Sequence, residues 1–120
     1  MKFMLLLYGD ESLGADISPD ELAATLERFE AFDRELTAAG VLAGGEGLEP
    51  TASATTVRRS GGELMLTDGP FAETREQIGG FYVLDCADLD EAIRWASMVP
   101  DLEHGVVEIR PVIDYEAMGG

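Results

Sequence analysis

The first apolar run, KFMLLLY over residues 2 to 8, is continuous, shows no 3.6-residue spacing and is too short for a typical helix. Such a run predicts a strand with both faces covered. GDESLGADI then loops out, and Ser18-Pro19-Asp20-Glu21 predicts a helix start. Ser caps, Pro stands at the first helical position, and Glu follows the cap by three residues. Leu22, Leu26, Phe29 and Leu36 form one stripe with Phe32 beside it, Glu30 and Arg34 make an i,i+4 pair on the wet side, and Gly40 ends the helix. VLAGGEGLEP resumes as a short glycine-interrupted strand. ASATTVRR alternates like a half-exposed strand, and SGG turns it into ELMLT as a hairpin. GFYVLDC is a second fully apolar strand. Asp88 caps a second helix that carries Leu89, Ala92, Ile93, Ala96 and Val99 inward until Pro100, and GVVEIRPVI is the closing strand.

The order is β-α-β, a hairpin, then β-α-β. This predicts an α+β domain of the ferredoxin-like, split β-α-β kind with an additional hairpin, spanning residues 1–115 with a tail at 116–120. Two helices cover one face of a sheet, yet the strands at 2 to 8 and 81 to 84 are apolar on both. The expected cover for the other face is a second copy of the chain, in a homodimer packed sheet to sheet.

Charge changes the picture more than composition does. The 120 residues are 46% hydrophobic, as in a globular protein, but 24 Asp and Glu stand against 8 Lys and Arg, a net charge of -16. That field repels phosphate backbones, so no direct nucleic-acid binding is expected. A single cysteine, Cys86, excludes an intrachain disulfide and fits a reducing compartment. The N-terminal run lacks a cleavage site, and nothing else is apolar for long enough to span a bilayer, so the expectation is a cytoplasmic protein with no membrane partner.

The candidate chemistry lies in TDGPFAETREQIGG, Thr67 to Gly80. Asp-Gly between strands normally announces a tight turn, but Pro70 cannot donate to a ladder and restricts Gly69. The chain is therefore expected to leave the sheet at Asp68 and return at Gly79-Gly80, a long loop of the kind that carries function. Asp68 reads either as a general base or as an Asx brace on its own backbone. Phe71 reads as an apolar anchor or a core plug, and Glu73 and Arg75 read as ligand contacts or solvated surface. His104, the only histidine, and Tyr8, at the end of the first strand, are its candidate partners; each has a bland alternative as a loop or half-buried side chain. There is no zinc spacing, P-loop, dinucleotide fingerprint or nucleophile elbow, and no cofactor or metal is implied.

MKFMLLLYGDE, GVLAGGEGL, TDGPFAETREQIGGFYVLD and VEIRPV, in this order from Met1 to Ile113, resemble the YCII-related family, specifically its DGPF branch. The resemblance implies a ferredoxin-like fold in a dimeric α/β-barrel-like assembly. It also implies a cleft with a His and an Asp, dehydrochlorinase chemistry in some relatives, and an association with sigma factors of the extracytoplasmic-function class. The family's histidine lies near the first helix, where this chain has none, so its acid-base pair does not transfer whole. What transfers is Asp68 as polar centre, Gly69 and Pro70 shaping the turn, Phe71 lining it, and Glu73 and Arg75 flanking it. Two functions follow. One is a dimeric small-molecule-binding or regulatory module linked to a sigma-type regulator. The other is a lyase or isomerase acting on a small aromatic-derived acid, with Asp68 as base or orienter and Tyr8 or His104 as partner.

Overall fold

The computed structural model of the protein describes residues 1–119. It contains strands β1 (Lys2–Gly9), β2 (Leu42–Gly47), β3 (Thr55–Ser60), β4 (Glu63–Asp68), β5 (Gln77–Asp85) and β6 (Gly105–Pro111). The helices are α1 (Pro19–Ala38), α2 (Leu89–Ala96) and the short α3 (Tyr115–Gly119). Gly120, the end of the expected tail, lies outside the described residues. Four strands form one antiparallel sheet in the order β2-β5-β1-β6, and β3 and β4 form a separate two-stranded ribbon. With the ribbon left out, this is the strand order of the split β-α-β arrangement, and the mixed α+β architecture is consistent with a ferredoxin-like fold. Among the described residues, no helix is long and apolar enough to cross a membrane.

Local signals act where the sequence places them. The Ser18 hydroxyl accepts from the Glu21 N–H at 3.1 Å with Pro19 opening α1, and the Asp88 carboxylate accepts from the Glu91 N–H at 2.9 Å to start α2. Gly40, at φ +72°, ends the first helix. The core lies between one sheet face and the two helices. Phe3 and Leu5 of β1 and Leu84 of β5 are buried against Phe32 and Leu36 of α1 and Ala92 and Ala96 of α2. Cys86 is also buried there, and burial, followed by the charges of Glu91 and Asp85, pushes its thiol pKa up.

Three details differ from the expectations. Leu22 and Leu26 are exposed, because α1 is buried only toward its C-terminal end and its first turns stand off the sheet over a cleft. Leu89 and Ile93 are exposed as well; α2 rests on the sheet through its small residues Ala92 and Ala96, which rotates the buried stripe away from the larger side chains. The chain rejoins the sheet at Gln77, opposite Gly9, and not at Gly79-Gly80. The Gln77 side chain closes the loop early, donating to the Thr74 carbonyl at 2.6 Å and accepting from the Glu11 N–H at 3.2 Å.

The ribbon departs furthest from a compact domain. Gly61 and Gly62, at φ +58° and +85°, make the tight turn between β3 and β4, as a primed hairpin turn requires. The two strands make their main contacts with each other. The radius of gyration is 16.8 Å, against roughly 13.6 Å for a compact chain of this length. The ribbon is therefore an arm.

Candidate functional site

A cleft opens where α1 stands off the sheet, at the end where β1 runs out and β5 begins. Leu7 of β1, Phe29 of α1 and Gly79 of β5 line both of its lobes. The first lobe, about 260 Å³, is closed by Val99, Pro100 and Leu102 between α2 and β6, with His104 at its edge. The second, about 460 Å³, lies between the middle of α1 and the paired strands β2 and β5.

The second lobe holds a short side-chain hydrogen bond. The Tyr82 hydroxyl donates to Asp33 Oδ1 at 2.7 Å. Three local features set that geometry. Tyr82 is opposite Gly45 in the ladder, and a Cβ at Gly45 would come within 2.8 Å of the Phe81 carbonyl and 3.0 Å of the Tyr82 ring. The absence of a side chain at position 45 therefore lets the ring lie over β2. The ring also packs edge to face on Phe32, centroids 5.5 Å apart at 83°. Asp33, next along α1, is thereby set against the hydroxyl. Burial pushes the Tyr82 phenol pKa up, and the hydrogen bond to Asp33 and its charge push the same way. At neutral pH the phenol thus remains a donor to Asp33.

A tyrosine inside an otherwise apolar strand needs a partner for its hydroxyl, which was the available signal for Tyr82. Asp33 gave none, because it reads as one more acid on a helix already rich in them.

The expected site residues are distributed over three places. His104 is exposed at the rim of the first lobe, its Nε2 3.9 Å from Glu103 Oε1. Tyr8 lines that lobe, but its hydroxyl donates to Glu108 Oε1 at 3.4 Å, on the sheet face away from the helices. Asp68 ends β4 on the arm, opposite Thr55, and lines neither lobe. The three are not brought together within one chain. Gly69, at φ +97°, turns the chain; its N–H donates to the Ala54 carbonyl at 2.6 Å, and its carbonyl accepts from the Thr56 hydroxyl at 2.8 Å. Backbone and Thr56 brace this turn, and among the described residues no hydrogen bond is made by the Asp68 carboxylate. Pro70 is half-buried, while Phe71 and Glu73 are exposed.

Arg75 anchors the far end of the loop. Its Nε lies 3.7 Å from Asp10 Oδ2, while Asp10 Oδ1 accepts from the Ser12 N–H at 2.9 Å and the Ser12 hydroxyl at 2.6 Å. The two Ser12 hydrogen bonds, helped by Arg75, hold the Asp10 carboxyl below its ordinary pKa. Nearby Asp101 adopts a left-handed conformation, φ 60°, and its carboxylate takes a 2.8 Å ion pair from Arg28. Among the described residues, no three His, Cys, Asp or Glu side chains converge as a metal cage.

A split β-α-β sheet with a cleft on its helix-covered side and a projecting arm defines a small α+β domain. The chain belongs to the YCII-related domain family, whose match covers residues 1–116. It is 40% identical over 118 residues to an uncharacterized protein of Rhizobium meliloti (strain 1021), spanning 97% of this chain and 95% of that one.

Proposed function

We propose that this YCII-type protein is a small-molecule-binding, regulatory module that works as a homodimer, with the ligand held in the cleft between α1 and the sheet. The observation that carries this reading is the 460 Å³ lobe, apolar along Leu7, Leu26 and Phe29, into which the hydrogen-bonded pair Asp33 and Tyr82 points. A pocket with an apolar wall and one fixed polar pair selects a ligand by shape and by a single hydrogen-bonding group. The lobe presents the Asp33 carboxylate and, among the described residues that line it, no cationic side chain, so it favours a neutral or amine-bearing ligand over a carboxylate.

The resemblance to the DGPF branch extends the reading to a sigma-type regulator as protein partner. With a net charge of -16 on this chain, such a partner would be met through a basic surface, and the contact would weaken in high salt.

The alternative reading is a lyase or isomerase acting on a small aromatic-derived acid. It is motivated by His104 at the rim of the first lobe, while the Tyr8 hydroxyl faces the other side of the sheet, and it needs Asp68 to arrive from outside the chain that holds His104. A thermal-shift screen of small phenols, amines and acids on wild type, Tyr82→Phe and Asp68→Asn tests both. A phenol or amine that raises Tm in wild type and Asp68→Asn but not in Tyr82→Phe supports the binding module. A small acid whose stabilisation is lost only in Asp68→Asn supports the alternative.

A further inference from the structure

The arm has two unlike faces. Alternation along β3 and β4, in the observed register, puts Val57, Leu64 and Leu66 on one face, with Arg59 toward the turn and Asp68 at the base. The opposite face carries Thr56, Arg58, Met65, Thr67 and the turn-side Ser60 and Glu63. The three apolar side chains of the first face are 59%, 56% and 67% exposed, and Phe71, just past the base, is 76% exposed. A two-stranded ribbon with nothing on its apolar face is marginal in water.

We propose that a second copy of this chain covers that face, each copy laying its arm on the other about a two-fold axis. The proposal rests on the homodimer reading and specifies how that dimer is held. Charge favours a copy as occupant. Residues 55 to 68 hold two cations, Arg58 and Arg59, and two acids, Glu63 and Asp68, so the arm is neutral and the whole -16 resides on the rest of the chain. It is a segment that can approach another acidic copy without net repulsion.

The receiving surface is present as well. The sheet face away from the helices carries Met4, Leu6, Phe81 and Val106, with Glu46 at one edge and Glu108 beside Arg110 at the other. Arg59, on the apolar face of the arm, complements the Glu46 edge. Area is also sufficient. Four exposed side chains offer roughly 100 Å² each. Two arms and the surface they cover then come to about 1,600 Å², the size of a stable interface. In this arrangement Asp68, at the base of the same arm face, stands at the seam between copies, which accounts for its lying outside the cleft of its own chain.

Sedimentation velocity of the full chain, from about 1 to 100 μM, tests the proposal. Wild type is expected to sediment as a dimer. Val57→Glu and Leu66→Glu are expected to raise the dimer Kd by at least about a hundredfold with unchanged far-UV circular dichroism. Leu66→Thr, which keeps a strand-forming residue, should raise it about tenfold. Met65→Glu, on the opposite face of the arm, should leave Kd within about threefold of wild type. A wild type that stays monomeric overturns both the arm contact and the homodimer reading. A dimer that persists unweakened in Val57→Glu, Leu66→Glu and Leu66→Thr overturns the arm contact alone.

Discussion

The helix-covered side of the four-stranded sheet and the β3–β4 arm are built from similar strand sequences and end in opposite environments. KFMLLLY and ELMLT are both rich in large aliphatic side chains, yet Leu5 of the first is fully buried and Leu66 of the second is 67% exposed. What separates them is the cover. β1 has neighbours on both edges and helices across its face, whereas β4 has one neighbour and its large side chains stay exposed among the described residues. Strand pattern therefore reports that a face must be buried, and only topology reports what buries it.

That contrast is sharpest in stability. Leu84→Ala, at a position with no exposed surface, is expected to cost about 3 kcal/mol of unfolding free energy in urea melts. Tyr82→Phe should cost about 1 to 2 kcal/mol at neutral pH, since it leaves Asp33 without its phenol donor. It should also change the alkaline limb. The folded phenol pKa is raised, so its contribution is complete below the unfolded value of about 10 and is lost as pH climbs through the folded value. Wild-type Tm should accordingly fall more steeply above pH 10 than that of Tyr82→Phe.

Ser18→Ala should cost about 1 kcal/mol through the lost cap on α1. Leu66→Ala, measured at dilution where the chain is monomeric, should shift stability by less than about 0.5 kcal/mol. A loss as large as that of Leu84→Ala would erase the distinction between sheet and arm. The smallest expected effect is that of Asp10→Asn. Asp10 has a lowered pKa, so its contribution is present above its unfolded value and disappears as pH falls through the folded one. The variant should show a slightly flatter acid limb in a Tm against pH series.

Much of the main sheet was legible in the sequence because its signals are local. Ser18, Asp88, Gly40 and the Gly61-Gly62 turn each act within a few residues of themselves, and apolar runs mark β1 and β5 directly. The stripe on α2 misled because Leu89 and Ile93 are larger than Ala92 and Ala96, and helix-to-sheet distance favoured the small pair. The candidate site was less legible. Tyr82 and Asp33 are 49 positions apart, and nothing in either neighbourhood announces the other. Their meeting depends on Gly45, itself 37 positions from Tyr82, having no side chain. The DGPF segment stood out for its turn chemistry, and that chemistry is real at Gly69. Where it delivers Asp68 is a matter of how far the arm projects, which no short-range signal encodes.

Gly79 carries a consequence for the shape of the cleft. It lines both lobes, and a Cβ built there would meet no atom within 4 Å, so the position is an open gap in a shared wall. A side chain at 79 would therefore find room at the border of the two lobes without displacing a neighbour. On the proposed binding function, the size of this one residue would bear on how far a bound molecule could extend from the Asp33–Tyr82 pair toward the first lobe.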